Sequence, residues 1–437
     1  MRDRSAGPSS AWQPTGGLAR SVVVATVGVV ASVAGGRPVL LVLVAPLVVA
    51  AAFGLVHRPT MTPVVHARLG HRLLHEGQST VSRLMLAGAD EAEQVTRVAV
   101  REPFVRVRPA GGRAARLVGR GPVDFELSPR RWGRRSVGDS AVALTSAWGG
   151  FRWGPATTGG DRVPVLPVSV RYGSRAESPQ PRGLVGAHRS ARTGSGTEFS
   201  GIRGFEPGDR LRRINWRVSA RSDRLHVTTT RAEEDAGVLL VVDALADHGR
   251  SEGIGGRESS LDLTVRAAAA VAEHAVRQGD RVSLRVVGRE GRQLGYGAGW
   301  VHLRRVLGAL AALQPSAAHD GEVERLQLRA AEGTMVVVLS PMLAEVLGTV
   351  TATALRRGLP TLVIDTLPDG AAPAVTRGTD PVAADLAWRL RKLEREQVLS
   401  GLAALGCPVV PWRGPGTIDE VTRRLARRAQ QPRVVVR

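Results

Sequence analysis

Two long apolar runs near the start set the first 58 residues apart from the rest of the chain. After a polar stretch, residues 1–19, which we expect to be a disordered tail, residues 21–34 and 38–56 carry no charge and are separated by a Gly-Gly-Arg turn. The second run is long enough to span the ~30 Å hydrocarbon core of a bilayer as a helix. We therefore predict a transmembrane helical hairpin over residues 20–58. A signal peptide and a buried soluble hairpin are the alternatives.

Residues 59–170 show a period of two. Apolar and polar residues alternate in short runs, which turns rich in Gly, Pro and Arg separate. Alternation of this kind buries one face of a strand, and several such runs in succession are typical of two packed antiparallel sheets. We predict an all-β sandwich domain here.

From residue 237 the pattern changes to apolar strand-like runs that alternate with helical runs. This alternation predicts a parallel sheet covered by helices on both faces, so residues 237–432 are expected to form a doubly wound α/β domain. The predicted strands are 238–245, 280–288, 334–340, 361–367 and 407–412, and the predicted helices are 261–278, 301–313, 343–357, 382–405 and 417–430.

Between these domains, residues 171–236 contain a Pro- and Gly-rich linker and then the stretch 194–225, where charged residues alternate with apolar ones. A Pro207-Gly208 turn interrupts this stretch. We predict extended segments joined by tight turns, with arginines and carboxylates close enough to pair. The stretch is then either a structured loop closed by buried ion pairs, which we favour, or a contact for a ligand or partner.

We take as candidate interaction residues of this stretch Gly194, Gly196, Glu198, Phe199, Arg203, Phe205, Pro207, Gly208, Asp209, Arg212, Ile214, Trp216, Ala220 and Arg221. In type and spacing these residues resemble the signature of the bacterial family catalogued as domain of unknown function 58. The resemblance implies a membrane hairpin, soluble domains that end in a von Willebrand factor A-like α/β domain, and a MoxR-type AAA+ ATPase as protein partner.

Von Willebrand factor A-like domains usually hold a metal ion at the carboxyl ends of their strands, on an Asp-x-Ser-x-Ser loop. Here Asp243 is kept, but Leu245 and Asp247 stand at the serine positions. Pro341 stands where a later carboxylate is expected. Hard divalent cations need several clustered oxygen ligands. We therefore predict a degenerate site with no metal and no cofactor, in which Asp243 and Asp247 form a polar pair at the strand end.

The amino-acid composition limits the kinds of partner and binding site that this chain can have. The net charge is +21, nearly all of it from arginine, with Lys392 as the single lysine. We interpret this charge first as a basic surface exposed to water, and second as a patch that faces anionic lipid. Aromatic residues make up only 4% of the chain, which argues against nucleic-acid binding. Cys407 is the one cysteine, so no internal disulfide or Cys-based zinc site can form, and we expect it to be buried.

No phosphate-binding loop and no nucleophile–base pair can be read from the sequence, so no catalytic residue is assigned. We expect a non-enzymatic interaction or assembly factor in the cytoplasmic membrane, with a MoxR-type AAA+ ATPase as partner. A metal-dependent ligand-binding receptor and an unrecognised hydrolase are the alternatives.

The arginines around the hairpin predict its topology. Cytoplasmic loops are enriched in positive charge, so both ends of the hairpin are expected in the cytoplasm. Reporter fusions at residue 60 and at the C-terminus should both give cytoplasmic activity, and periplasmic activity at either fusion would contradict the prediction. Only Arg37 lies in the connecting turn, whereas the outer ends carry Arg2, Arg4, Arg20, Arg58, Arg68 and Arg72.

Overall fold

The chain divides into two compact units, residues 1–167 with 252–255 and residues 168–251 with 256–437. Of residues 193–200 and 229–231 only the backbone is described. The computed structural model describes residues 11–168, 193–206, 209, 211, 214–222, 224–231, 237–288, 291–316, 334–372, 380–414 and 416–417.

The first unit opens with two antiparallel helices, α1 (Gly16–Ala34) and α2 (Val39–Val56). Thr15 caps α1 by accepting a hydrogen bond from the Leu18 amide. The helices pack closely because Gly28 has no side chain, and a Cβ there would overlap the side chain of Val44. Gly36 has a φ of 58° in the connecting turn, a conformation that glycine adopts without strain.

Both helices are long and apolar enough to cross a membrane. Only 17% of each apolar window is buried, whereas a core helix of a soluble protein is mostly buried. Large apolar side chains therefore cover the outside of the pair; Val33 and Val42, for example, are each 76% exposed. Helices that are apolar all round and exposed are suited to a hydrocarbon environment.

The rest of the first unit consists of β-sheets, as the two-residue period predicts. A five-stranded sheet has the order β1-β11-β10-β5-β7, a four-stranded sheet β2-β4-β8-β6, and a three-stranded sheet β3-β12-β9. The strands are β1 (Gln13–Pro14), β2 (Val64–Leu69), β3 (Leu74–His75), β4 (Thr80–Ala87), β5 (Ala92–Ala99), β6 (Val105–Arg108), β7 (Arg113–Leu117), β8 (Phe125–Pro129), β9 (Gly133–Val137), β10 (Ser140–Ser146), β11 (Phe151–Thr158) and β12 (Asp161–Leu166).

One hydrophobic cluster joins the five-stranded and four-stranded sheets. Val95 and Leu144 of the first sheet and Val65 of the second belong to it, together with the buried Trp153. Apolar residues shared between two sheets are what the packing of a sandwich requires.

Arg97 on β5 links the same two sheets through polar contacts, although its side chain is completely buried. It donates to the Ser82 carbonyl at 2.7 Å, the Ser82 hydroxyl at 2.7 Å, the Val123 carbonyl at 2.9 Å and the Ser140 hydroxyl at 3.0 Å. Its guanidinium also lies 4.6 Å from the centre of the Phe125 ring. Burial lowers the pKa of Arg97 to about 10, so it remains charged at neutral pH.

The second unit contains a two-stranded sheet, β13-β14, and a six-stranded sheet of order β17-β16-β15-β18-β19-β20. In the larger sheet only β17 is antiparallel to its neighbour. The elements are β13 (Thr193–Gly204), α3 (Trp216–Ser222), β14 (His226–Arg231), β15 (Gly237–Asp243), α4 (Ser260–Arg277), β16 (Arg281–Val287), β17 (Gln293–Gly297), α5 (Gly299–Leu310), β18 (Met335–Ser340), α6 (Glu345–Arg356), β19 (Thr361–Asp365), α7 (Pro381–Ala404) and β20 (Val409–Pro411).

Helices cover both faces of this sheet. Leu239 and Val241 of β15 point to one face, where they share a cluster with Leu347 of α6 and Leu402 of α7. Helix α4 packs on β15, β16 and β18, and α5 packs on α4. The α/β arrangement predicted from the strand–helix alternation is thus present. Cys407 is buried in the core cluster, as expected.

Two elements of the second unit were not predicted. Strand β17 extends the sheet beyond β16, and α3 forms a helix inside the stretch for which we predicted extended segments only, so that part of the prediction was wrong. The predicted helix over 417–430 lies outside the described residues, apart from its first position.

Replacing Arg97 by Met should destabilise the first unit strongly, because it removes the four hydrogen bonds that the guanidinium donates to buried carbonyl and hydroxyl oxygens. We expect the free energy of unfolding to fall by about 3 kcal/mol. Urea unfolding of the full chain in detergent, followed by tryptophan fluorescence, measures the change. Arg116→Met, at an exposed position of β7, is the control and should be neutral. Equal midpoints for the two variants would contradict the role assigned to Arg97.

Candidate functional site

The stretch that carries the family signature is built on the β13–β14 hairpin. Ile202 pairs with Thr228, and Arg203 pairs with Val227. The Phe205 amide then donates to the Leu225 carbonyl at 2.8 Å, which closes the hairpin end. The chain segment that follows β13 is therefore held against the strand that returns to it.

An ion pair fixes the turn after β13. Arg203 donates two hydrogen bonds to the Asp209 carboxylate, from Nη1 at 2.8 Å and from Nη2 at 2.7 Å. Asp209 also accepts from the Glu206 amide at 2.9 Å. The hydrogen bonds to Asp209 raise the pKa of the Arg203 guanidinium. The side chain of Arg203 is 40% exposed and that of Asp209 is 20% exposed, so the pair is half-buried.

Helix α3 is attached to the same hairpin by short polar contacts. Asn215 caps the helix by accepting from the Val218 amide at 3.2 Å, and its own amide donates to the His226 carbonyl at 2.8 Å. The Ser219 hydroxyl accepts from the His226 amide at 2.9 Å. Just before the helix, the buried Ile214 forms an isolated bridge with Val227.

This scaffold leaves two large apolar side chains in solvent. Trp216, the first residue of α3, is 68% exposed, and Leu211 is 70% exposed. Both lie within the turn and helix that the ion pair and the Asn215 cap hold in place. An exposed tryptophan on an ordered element is typical of a contact surface.

Apart from Phe205 and Ile214, whose contacts are given above, the predicted residues of this stretch fall into four groups. Arg203 and Asp209 pair as the charge pattern predicted. Trp216, Ala220 and Arg221 lie on α3 and are exposed. Gly194, Gly196, Glu198 and Phe199 belong to β13, of which only the backbone is described there. Pro207, Gly208 and Arg212 lie outside the described residues, so the contribution that we expected from Arg212 to the ionic network stays a prediction.

A second polar cluster lies at the carboxyl edge of the six-stranded sheet, where ligands of doubly wound folds bind. Asp243 ends β15 and is 4% exposed. Its carboxylate accepts from the Ser340 hydroxyl at 2.6 Å and from the Leu245 amide at 3.0 Å. Burial raises the pKa of Asp243 above its ordinary value, although both hydrogen bonds act in the opposite direction.

The contacts of Asp243 continue into the next strand. The Ser340 hydroxyl accepts from the Met342 amide at 2.8 Å. Met342 has a φ of 54°, an uncommon conformation for a residue with a side chain. The turn after β18 is thus tied to the carboxylate at the end of β15.

Asp247 lies in the loop between β15 and α4. Its carboxylate accepts from the Leu261 amide at 3.1 Å, so it meets a free amide of the first turn of α4. The neighbouring His248 amide donates to the Ser260 hydroxyl at 2.8 Å. Asp247 therefore orders the start of the helix, and each of the two carboxylates has its own protein donors.

At the end of strand β19, an arginine side chain provides a positive charge. Arg395 of α7 is paired with Asp365 at the end of β19. Its Nε also donates to the Pro341 carbonyl at 2.7 Å. The two side chains are only 12% and 17% exposed. A guanidinium thus contacts the residue that stands where the expected metal ligand would be.

Sequence reasoning missed Arg395, although a signal was present. Positions 388, 395 and 402 are seven residues apart and share one face of a helix. Trp388 and Leu402 are both buried. An arginine between two core positions indicates an internal ion pair.

The residues from the end of β13 to the turn after β19 match a known family model. The model is described as a protein of unknown function, DUF58, and it matches residues 201–369. Residues 201–369 belong to the DUF58 family. No curated protein matches the chain.

The strand ends of this DUF58 domain do not fit a divalent cation. The Asp243 carboxylate already accepts hydrogen bonds from a hydroxyl and a backbone amide. The Asp247 carboxylate accepts one from the first turn of α4, and Asp365 forms an ion pair with Arg395. Within the described ranges no group of three or more His, Cys, Asp or Glu side chains could hold a metal ion. A buried positive charge at the same edge would also repel a cation.

Titration of the full chain in detergent with Mg²⁺, Mn²⁺ and Ca²⁺ should therefore give no binding tighter than about 0.1 mM by calorimetry. The reason is that the protein already supplies a hydrogen-bond donor or a positive charge to each of these carboxylates. Asp243→Ala is the control, since binding that disappears in this variant would contradict the prediction and favour a rebuilt metal site.

Proposed function

We propose that the protein is a non-enzymatic interaction or assembly factor, anchored in the cytoplasmic membrane with its soluble parts on the cytoplasmic side. Its partner is a protein, and the resemblance to the DUF58 signature points to a MoxR-type AAA+ ATPase. The observation that carries the proposal is the exposed Trp216 on a turn and helix fixed by the Arg203–Asp209 pair.

The two apolar helices support the membrane anchor. Trp148, which is 68% exposed, lies beside the end of α2 with its ring 5.3 Å from the ring of Phe53. Tryptophan is enriched where a membrane protein meets the lipid headgroups. The arginines at the outer ends of the hairpin support a cytoplasmic placement of the soluble parts.

The geometry of the loop supports recognition of a protein. Binding energy at protein interfaces is concentrated in a few residues, and tryptophan is among the most frequent of them. Ordering such a side chain in advance lowers the entropic cost of association. Trp216 satisfies both conditions because the cap at Asn215 and the Ser219–His226 contact hold its helix to the hairpin.

The strand-end cluster supports a role without catalysis. A catalytic acid or base needs access to a substrate, whereas Asp243 is buried and bonded to Ser340 and Leu245. The Arg395–Asp365 pair at the same edge also weighs against the alternative of a metal-dependent receptor.

Replacing Trp216 by Ala should reduce the amount of ATPase that co-purifies with the tagged full chain from its own membranes by about tenfold or more, the usual effect of losing a central tryptophan. The Tm should stay within about 2 °C, because the side chain is mostly exposed. Quantitative mass spectrometry of the purified complex and a thermal shift measurement provide the two readouts.

Two further variants complete this experiment. Trp300→Ala, at a 57% exposed position on α5, should retain the partner. Asp209→Ala should lower both the Tm and partner recovery, because the turn loses the acceptor for Arg203. Unchanged recovery with Trp216→Ala would refute recognition through this loop.

A further inference from the structure

Helix α7 has apolar side chains on two opposite faces. One face packs into the core through Trp388 and Leu402. The other carries Leu386, Leu390 and Leu393, which are 68%, 57% and 57% exposed. With 3.6 residues per turn, the two sets are centred roughly 180° apart. A helix that packs on one face is normally polar on the other, so the exposed face is unusual for a surface helix.

The exposed side chains follow the spacing of a helix that pairs with another helix. Ala383, Leu386, Leu390 and Leu393, here called the leucine stripe, are separated by three, four and three residues, as the a and d positions of a heptad are. All four are exposed. In this frame Arg389 takes a g position and Glu394 an e position, one on each side of the stripe.

These flanking charges are complementary to those of a second copy. In two parallel helices in register, each leucine meets its counterpart, and a g residue faces the e residue of the next heptad on the other helix. Arg389 of one copy then lies opposite Glu394 of the partner subunit, and the pair forms twice. Opposite charges at these positions favour the pairing, as like charges would oppose it.

An antiparallel arrangement fits less well. A register that keeps Leu386 against Leu390 places the two copies of Arg389 against each other. The register that instead brings Arg389 near Glu396 sets Leu386 against the polar Gln397. That register keeps only the contacts between Leu390 and Leu393, whereas the parallel arrangement combines three leucine layers with opposite charges.

We propose that the leucine stripe binds the leucine stripe of a second copy of this chain, in parallel and in register. Three leucine layers form a small contact, which would be weak between molecules free in solution. Confinement of both copies to one membrane raises their effective concentration and makes such a contact sufficient. The proposal therefore relies on the proposed membrane anchor but not on the ATPase partner.

Cysteine cross-linking of the full chain in its own membranes tests this arrangement. Leu390→Cys places two sulfurs across the a–a contact, and mild oxidation should give a product of twice the 46.3 kDa chain mass. The only native cysteine, Cys407, is 3% exposed, so the background is low. Leu211→Cys, at a 70% exposed site outside α7, is the matched control and should cross-link at least tenfold less.

Four further variants test the stripe and its charges in the Leu390→Cys background. Arg389→Glu should reduce the product several-fold, and adding Glu394→Arg should restore it. Asp385→Ala removes the pair that Arg389 forms within its own helix and should leave the product unchanged. Leu386→Glu with Leu393→Glu should abolish the product without loss of folding, since both side chains are exposed.

Three outcomes would overturn the proposal: no cross-link at residue 390, a product of a different mass, or no rescue by the charge reversal. Separating membrane and soluble fractions before oxidation reports on the anchor. A chain that is absent from the membrane fraction would therefore refute the proposed localisation as a distinct result.

Discussion

The arrangement of the second unit depends on the burial of its central strand on both faces. Every residue of β15 is buried, so a polar group at the end of this strand cannot reach water and has to find its partner inside the protein. Asp243 meets this requirement through Ser340, and the contact joins β15 to β18. At the end of the neighbouring strand β19, Asp365 finds its partner in Arg395 of helix α7, with which it forms an ion pair. The carboxyl edge of this sheet, where doubly wound folds bind ligands, is thus filled here by contacts within the protein.

The first unit also contains a buried charged group that needs partners inside the protein, but here the charge is positive. Arg97 is as deeply buried as any apolar residue of its sheets, and it carries a positive charge that carbonyl and hydroxyl oxygens solvate. In both units the buried ionic group lies where two strands or sheets have to keep a fixed relation. Such groups favour one arrangement of the chain over others, since any shift leaves a charge without partners.

How well the sequence predicted an element depended on whether its signal was local. The apolar run of β15 and the long periodic segment of α7 were recognisable because each pattern lies within one element. Strand β17 was missed since Gly295 and Gly297 interrupt it, and it forms by pairing with β16. Helix α3 was missed because its sequence has no apolar stripe, and its stability comes from contacts with His226.

The candidate site divides in the same way. The Arg203–Asp209 pair could be predicted since six residues and a turn separate its members. The partner of Asp243 could not be predicted, because Ser340 is 97 residues away and its hydroxyl gives no periodic signal in the sequence. The exposure of Trp216 was also beyond the sequence, because a tryptophan near arginines fits a packed interior as well as a surface.

The ends of the six-stranded sheet have a consequence for how the protein behaves at high local concentration. An open sheet edge is a template on which another chain can add a strand and start aggregation. Here the outer strand on one side, β20, has three residues and ends at Pro411, which has no amide hydrogen to donate. On the other side β17 is short and rich in glycine. Neither border strand offers a long, regular row of hydrogen-bonding groups, so both disfavour the addition of a strand from another chain.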